Sequence, residues 1–152
     1  NCDWSSDVCS SDLGADTRQD IGYDELRSFM GSTELLNLLR NITGAQEAVS
    51  IDAQLTRYVP SQFLMQHTDA GDDAMGHRLV AYVLNLCGEW NPDWGGLLHL
   101  LDDNGQIEQT LIPAFNQLAL FNVPRRHFVS QVASFCPRER ISITGWLLRN
   151  QA

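Results

Sequence analysis

Residues 79–107, LVAYVLNLCGEWNPDWGGLLHLLDDNGQI, indicate the class of fold. This stretch holds two short runs rich in Val, Leu and Tyr, at Leu79–Leu86 and Leu97–Leu101, and such runs are typical of β-strands. Turn-forming residues follow each run, at Asn91-Pro92-Asp93 and at Asp102–Gly105. The Asp-Asn-Gly sequence at the end of the second cluster indicates a hairpin-type turn, so neighbouring strands are expected to pair antiparallel.

The same pattern continues on both sides of this stretch. Further strand-like runs lie at Val49–Met65, Gln117–Val123, Phe128–Phe135 and Ile141–Leu148. No helical pattern separates these runs, which favours an antiparallel sandwich or jelly roll over a parallel sheet. No internal repeat or linker interrupts the region, so we predict one mainly β domain over residues 49–152.

The residues before this domain have a helical pattern instead. Between Tyr23 and Leu39 the apolar residues recur near helical spacing, with an interruption at Gly31-Ser32-Thr33. Ser32 or Thr33 is suited to cap a second short helix that runs to Arg40. Gly44 stands where such a helix should end. We therefore predict a helical N-terminal part over residues 14–48, which we interpret as truncated.

Residues 1–13 are expected to lie outside the domain. Their sequence from Cys2 to Leu13, CDWSSDVCSSDL, has no apolar periodicity, and it matches the in-frame translation of a common sequencing-library adapter. We interpret residues 1–13 as an adapter-derived artefact, expect them to be disordered and leave them out of the fold reasoning.

Composition limits the classes of function. The chain has 152 residues, 19 acidic and 10 basic side chains and a net charge of −9, and all of the basic residues are arginines. An acidic balance provides no electrostatic footprint for a nucleic-acid backbone. No stretch approaches the roughly 20 apolar residues that cross a bilayer, so we expect neither nucleic acid nor membrane as a partner. Outside residues 1–13 only Cys87 and Cys136 remain of the four cysteines, which favours a reduced, cytoplasmic setting.

A possible metal site lies at His67-Thr68-Asp69, where a strand-like run meets an acidic, Gly-containing loop. Residues two apart on a strand face the same side, so His67 and Asp69 can present an imidazole and a carboxylate to one point. One more histidine would complete a 2-His-1-carboxylate site, which leaves positions open on Fe(II) for other ligands. Taken alone, the motif is a weak signal, and a turn aspartate beside a surface histidine is the more common explanation of it.

The residues alone leave the third ligand and the role of one arginine open. His77, His99 and His127 are all candidates for the third ligand. Arg140 opens the last strand-like run, and its planar guanidinium is suited to bidentate binding of a carboxylate. A surface arginine in the polar stretch Pro137–Arg140 is the alternative.

The order of the motifs resembles the prolyl 4-hydroxylase-like branch of the Fe(II)/2-oxoglutarate-dependent dioxygenases. The resemblance runs from about Leu55 to Leu148 and rests on separated motifs that occur in the family's order. These motifs are His67-x-Asp69, Leu84-Asn85 followed by Trp90–Leu98, Ile112–Asn116, His127, and Arg140–Trp146. The resemblance implies a double-stranded β-helix, or jelly roll, preceded by the N-terminal helices.

The resemblance also implies roles for individual residues. His67, Asp69 and His127 match the iron ligands of the family. Arg140 matches the basic residue that binds the far carboxylate of 2-oxoglutarate. Tyr58 and Thr144 match positions that line or flank the same cosubstrate pocket. Tyr82 falls one place from where some members have a cosubstrate-binding tyrosine, which leaves open whether its side chain faces the site.

The function implied is a hydroxylase that uses Fe(II), 2-oxoglutarate and O2, with ascorbate as a further candidate cofactor. Asp69 favours hydroxylation over halogenation, because halogenating members carry a small residue at that position. A prolyl residue of a protein or peptide is the expected substrate. A hydroxylase of a free amino acid or small metabolite, and a non-catalytic cupin-like metal-binding module, are the alternatives. The oligomeric state is left open.

Overall fold

The computed structural model describes residues 21–70 and 77–150. Two helices come first: α1 at Ile21–Met30 and α2 at Thr33–Thr43. Ser32 is the N-cap of α2, and its side chain accepts a hydrogen bond from the backbone N–H of Leu35 at 3.2 Å. Gly44 ends α2 with φ of 75°, a left-handed conformation that glycine adopts without steric cost. The predictions for residues 1–13 and 14–20 lie outside the described residues.

Nine strands follow the helices in the described part of the chain. Their bounds are β1 Ser50–Ile51, β2 Gln54–Tyr58, β3 Leu64–His67, β4 Arg78–Asn85, β5 Leu98–Leu101, β6 Ile107–Leu111, β7 Gln117–Asn122, β8 His127–Val129 and β9 Arg140–Leu148. The larger sheet has the order β1-β9-β4-β7, with β2 also paired to β9, and the smaller sheet has the order β3-β8-β5-β6. All of the pairs are antiparallel. The predicted mainly β jelly-roll fold is confirmed.

The two faces of the larger sheet have different neighbours. One face packs on the helices, where the cluster around Leu39 and Leu36 includes Tyr82, Ile143 and Leu147. Residues between these positions face the smaller sheet, and they belong to a second core that lies between the two sheets. The buried members of this core are Ala81, Val83, Leu98, Leu100, Ala119, Phe121 and Val129. Period-two alternation along β4 and β9 therefore separates a helix-packing face from an interior face.

Two strand-like runs differ from their prediction, and one strand was not predicted. Val49–Met65 forms three strands instead of one: β1 and β2 follow β9 in one continuous register with a break at Asp52-Ala53, and the chain turns after Tyr58 to enter β3. Phe128–Phe135 leaves the sheet after Val129, and the remainder is a loop that keeps one isolated bridge, between Gly95 and Val132. The sequence did not indicate β6. Four of its five side chains are exposed, and its apolar residues do not form the alternating pattern that predicts a strand.

No helix within residues 21–70 and 77–150 has the length and apolar character needed to cross a membrane.

Candidate active site

Two histidines face each other across neighbouring strands of the smaller sheet. His67 ends β3 and His127 begins β8, and the two residues are directly paired in the antiparallel register. Their ring centroids are 4.2 Å apart. The Nδ1–H of His67 donates to the carbonyl of Met65 at 2.9 Å, and that of His127 donates to the carbonyl of Arg125 at 2.8 Å. These hydrogen bonds orient both rings and leave each Nε2 as the nitrogen available to a metal.

Asp69 completes the group from a position just beyond β3. It is 7% exposed, and its Oδ1 lies 3.3 Å from His67 Nε2 while its Oδ2 lies 3.7 Å from His127 Nε2. One donor atom from each of the three residues lies within 4.8 Å of the others. Two imidazoles and one carboxylate are a donor set that suits Fe(II) and leaves coordination positions open.

The electrostatics of this group favour a charged carboxylate between the imidazoles. Burial by itself would raise the pKa of Asp69, but the hydrogen bond with His67 and the charge of His127 hold that pKa below its usual value. The hydrogen bond with Asp69 raises the pKa of His67 against the opposing effect of burial. Burial lowers the pKa of His127. Asp69 is therefore an ionised oxygen donor next to an imidazole, His127, whose neutral, metal-binding form is favoured.

The larger sheet contributes a buried arginine to the same interior. Arg140 begins β9 and is only 2% exposed. Its Nη1 donates to Ser142 Oγ at 3.1 Å and its Nη2 to Asn85 Oδ1 at 3.4 Å, while its Nε has no hydrogen-bond partner. No ion pair joins Arg140 to a carboxylate of residues 21–70 or 77–150. Burying a guanidinium without a counter-ion costs desolvation free energy, and an anionic ligand that bound to it would offset that cost.

The two further cosubstrate residues predicted from the sequence lie beside this arginine. Tyr58 is paired with Arg140 in the sheet register, and the guanidinium carbon lies 5.4 Å from the centroid of its ring. Burial raises the pKa of the Tyr58 phenol. Thr144 lies on the same face of β9 as Arg140, where its hydroxyl shares a 2.8 Å hydrogen bond with the hydroxyl of Thr56. All of the sequence-predicted site residues therefore line the space between the two sheets.

Residues that the sequence reasoning did not assign complete the setting of Arg140. Ser142 and Asn85 accept its hydrogen bonds, and the two are register partners on β9 and β4. A Cβ on Gly96 would lie 3.1 Å from Val132 Cγ2 and 3.3 Å from both Arg140 Cδ and Trp90 Cζ2, so the glycine leaves room for these three side chains. The spacing Arg140-x-Ser142 was the available signal, since it places both side chains on one face of a strand.

The structure separates His127 from the other candidates for the third ligand. His99 lies on the outer face of the smaller sheet, where it bonds the Thr110 hydroxyl at 2.9 Å and stacks on Phe128 with centroids 4.5 Å apart. His77 is not a member of the three-residue group. Tyr82 belongs to the helix-packing face, and its hydroxyl donates to the carbonyl of Asp52 at 2.7 Å. Tyr82 therefore does not face the site.

Two features near the site have structural partners of their own. Trp90 and Trp94 form an edge-to-face pair with centroids 5.6 Å apart and pack against the cluster around Tyr58 and Val132. Arg126 donates to the carbonyl of Asp102 at 2.9 Å and so ties the loop before His127 to the β5–β6 turn. A cleft of about 200 Å³ between β6 and β7 contains none of the three metal-site residues and not Arg140.

Sequence and fold both relate the chain to known proteins. The model of the 2OG-Fe(II) oxygenase superfamily matches residues 53–148. Prolyl 3-hydroxylase OGFOD1 of Mus musculus is 34% identical over 115 residues, which cover 71% of this chain and 20% of that protein. The chain thus spans about a fifth of the length of this relative.

Solved structures agree with the family match. A prolyl-4-hydroxylase from Pseudomonas putida is 28% identical with a TM-score of 0.69, over 90% of this chain and 70% of that chain. A prolyl hydroxylase from Trichoplax adhaerens, solved with a peptide fragment of hypoxia inducible factor, is 22% identical with a TM-score of 0.60, over 75% of this chain and 52% of that chain. The second likeness concerns the fold alone. Since the family model covers more than half of the residues and includes His67, Asp69, His127 and Arg140, the chain belongs to the 2OG-Fe(II) oxygenase superfamily, whose members use Fe(II), 2-oxoglutarate and O2.

Proposed function

We propose that this chain is the catalytic domain of an Fe(II)- and 2-oxoglutarate-dependent hydroxylase that acts on a prolyl residue of a protein or peptide. The observation that carries the proposal is the convergence of His67, Asp69 and His127, whose donor atoms lie within 4.8 Å of one another. In the proposal these three residues hold Fe(II). The prolyl substrate is supported by relatives that are named prolyl hydroxylases.

The residues present fit the metal. Both imidazoles have their Nδ1 occupied by a backbone carbonyl, so each offers Nε2 in a fixed orientation. Asp69 is buried and its lowered pKa keeps the carboxylate ionised, as a metal ligand must be. Three protein ligands on one side of an ion leave the other side open for a cosubstrate and oxygen.

The residues around Arg140 fit the cosubstrate. In the proposal, a dicarboxylate bound to the metal at one end would present its other carboxylate to the buried guanidinium of Arg140, which would bind it by charge-assisted hydrogen bonds. Ser142 and Asn85 accept hydrogen bonds from that guanidinium. Tyr58, the register partner of Arg140, and Thr144, on the same face of β9, would flank the cosubstrate. The bound iron and 2-oxoglutarate supply the chemistry that activates O2 and inserts an oxygen atom into a C–H bond. The chain itself binds, orients and excludes water, and Phe121, 4.8 Å from the His127 ring, belongs to its apolar wall.

Arg140 also favours a hydroxylase over a non-catalytic metal-binding module. Such a module needs metal ligands but has no use for a buried cation without a protein counter-ion. No observation favours a free amino acid or small metabolite as substrate over a peptide, so that alternative is an outcome of the test.

Two measurements test the proposed function. Protein loaded with Fe(II) under anaerobic conditions and then exposed to O2 should convert 2-oxoglutarate to succinate, and absence of succinate would contradict the enzyme assignment. Mass spectrometry of a proline-containing peptide library should then show a gain of one oxygen atom. Oxygen gain only in free amino acids or small metabolites would replace the peptide substrate with that alternative.

We also propose a reduced, cytoplasmic setting, which the free thiols of the buried Cys87 and Cys136 support. A requirement for ascorbate and the absence of nucleic-acid or membrane partners stay predictions.

A further inference from the structure

Asp69 differs from the two histidines in how its position is determined. His67 and His127 are register partners on paired strands, so the sheet holds them. Asp69 lies two residues beyond the end of β3 and pairs with no strand. A carboxylate on a loop needs other contacts to stay within bonding distance of a metal, because a loop backbone has more conformational freedom than a paired strand.

Arg78, the first residue of β4, supplies one such contact. Its Nη1 donates to the backbone carbonyl of Asp69 at 3.0 Å. The hydrogen bond joins the ligand-bearing loop to the larger sheet, in which β4 is paired on both sides. Asp69 is thereby linked to a strand other than the one from which its loop emerges.

The guanidinium of Arg78 is itself held by an aromatic ring. Its Cζ lies 3.8 Å from the centroid of the Trp146 ring, which is the distance of a stacked cation–π contact. The backbone of Trp146 is fixed in turn, since its N–H donates to Asp52 Oδ1 at 2.6 Å. Arg78 therefore holds the backbone of Asp69, and Trp146 holds the guanidinium of Arg78.

From these contacts we propose that Arg78 is a positioning residue that holds Asp69 in register with His67 and His127 and so sets the affinity of the site for a divalent metal. The inference rests on the proposed function. It depends on a guanidinium and not only on a positive charge, because a planar group can stack on Trp146 and donate in its own plane to the Asp69 carbonyl at the same time. An ammonium group has no plane with which to do both.

The test is a titration of the metal-free protein with Mn(II), followed by calorimetry. Arg78→Gln should raise the Kd for Mn(II) by roughly 10- to 100-fold, the usual effect of losing a residue that orients a metal ligand. Arg78→Lys keeps the charge and should still raise the Kd about 10-fold. The matched control is Arg57→Lys, since Arg57 is exposed and pairs with Glu139 outside the site; its Kd should stay within about twofold of wild type. A Kd within twofold of wild type for either Arg78 variant overturns the proposal.

A double-mutant cycle separates positioning from a general effect on the fold. If Arg78 acts through the stacked indole, Arg78→Lys should weaken Mn(II) binding less in a Trp146→Leu background than in wild type. Equal effects in both backgrounds would contradict the stacked arrangement. Should Arg78→Gln fail to fold, Arg78→Lys and the cycle still decide the question.

Failure of the inference can be told from failure of the proposed function. Wild-type protein that does not bind Mn(II), or His127→Ala that binds it as tightly as wild type, would contradict the metal site itself. Wild-type protein that binds Mn(II) while Arg78→Lys binds it equally well would contradict only the role of Arg78.

Discussion

Arg140 shows how one buried side chain links stability to function. The arginine is 2% exposed, and its hydrogen-bond acceptors are the neutral side chains of Ser142 and Asn85. Burial lowers its pKa, in opposition to the interaction with Tyr58. Neutral acceptors compensate a buried charge less well than a carboxylate does. The desolvation of Arg140 therefore destabilises the ligand-free protein, and a bound dicarboxylate would offset this effect.

The first prediction is that Arg140→Met separates binding from folding. The Kd for 2-oxoglutarate should rise by roughly 30- to 700-fold, which corresponds to about 2–4 kcal/mol for the loss of one partner of a buried charge pair. The unfolding free energy of the ligand-free variant should equal or exceed that of wild type, because an unpaired charge has been replaced by an apolar side chain of similar length. Calorimetric titration with 2-oxoglutarate and urea unfolding give the two values. An unchanged Kd would exclude Arg140 from the cosubstrate site.

The second prediction uses two histidines on neighbouring strands. His127→Ala should abolish Mn(II) binding and succinate formation, since it removes one of three ligands. His99→Ala is the matched control: this histidine lies on the outer face of the same sheet, and its variant should retain both properties. Succinate formation by purified His127→Ala at the wild-type rate would rule out the metal site.

At the scale of elements, β9 organises the larger sheet. It pairs with β4 along one edge and with β1 and then β2 along the other. The connection between β1 and β2 crosses directly over Gly145, where a Cβ would lie 2.1 Å from the carbonyl oxygen of Asp52. Glycine is required there because any side chain would displace the backbone that positions Trp146 and Tyr82.

The third prediction follows from that close approach. Gly145→Ala should lower the unfolding free energy by about 3 kcal/mol, because the clash is with backbone and cannot be relieved by a rotamer change. Gly88→Ala is a suitable control, since its Cβ would meet only the mobile end of Arg138 at 3.0 Å. Urea unfolding of the metal-free proteins measures both. Equal stabilities of the two variants would contradict the packing of Asp52 against β9.

The fourth prediction concerns the start of α2, where the sequence offered two possible caps. Ser32→Ala should lower the free energy of unfolding by about 1 kcal/mol, because the Ser32 hydroxyl accepts the hydrogen bond from Leu35 N–H. Thr33→Ala should change stability by less than about 0.5 kcal/mol, as Thr33 is the first helical residue and not the cap. Thermal unfolding monitored by circular dichroism measures the difference, and the reverse order would assign the cap to Thr33.

At the scale of the whole molecule, the site needs both sheets. The smaller sheet contributes His67 and His127 through β3 and β8, and the larger sheet contributes Arg140 and Thr144 through β9. The apolar core around Leu100, Val129 and Phe121 holds the sheets together. The distance between metal and cosubstrate anchors is thus set by sheet packing and not by any local segment.

The fifth prediction is that ligands from both halves of the site stabilise the molecule. Mn(II) alone should raise the melting temperature, and 2-oxoglutarate should raise it further. Each ligand at about 100 times its Kd contributes roughly 2.7 kcal/mol, if it binds only the folded state. In Arg140→Met, 2-oxoglutarate should no longer raise the melting temperature, while Mn(II) should raise it as in wild type. Differential scanning fluorimetry provides the test, and an unchanged 2-oxoglutarate increment would contradict the division of the site between the sheets.

Much of the architecture could be predicted from local patterns. The runs that became β4, β5 and β7, the Asp102–Gly105 turn and the caps of α2 are set by neighbours in sequence. β6 was missed because its exposed, polar side chains carry no periodicity. The loop after Val129 was missed for the opposite reason, since apolar residues there pack on Tyr58 and the tryptophans without entering a sheet.

The amino-acid order alone establishes the His67-x-Asp69 motif, the alternation that puts Arg140 and Ser142 on one face, and the order of motifs that resembles the family. The packed strands were needed to show which histidine joins the motif, which way Tyr82 points and what Arg140 and Arg78 contact. The difference lies in how far apart along the chain the interacting residues are. Alternation and capping depend on residues a few positions apart, whereas the pairing of His67 with His127 depends on a strand register that exists only when β3, β8 and β5 lie side by side.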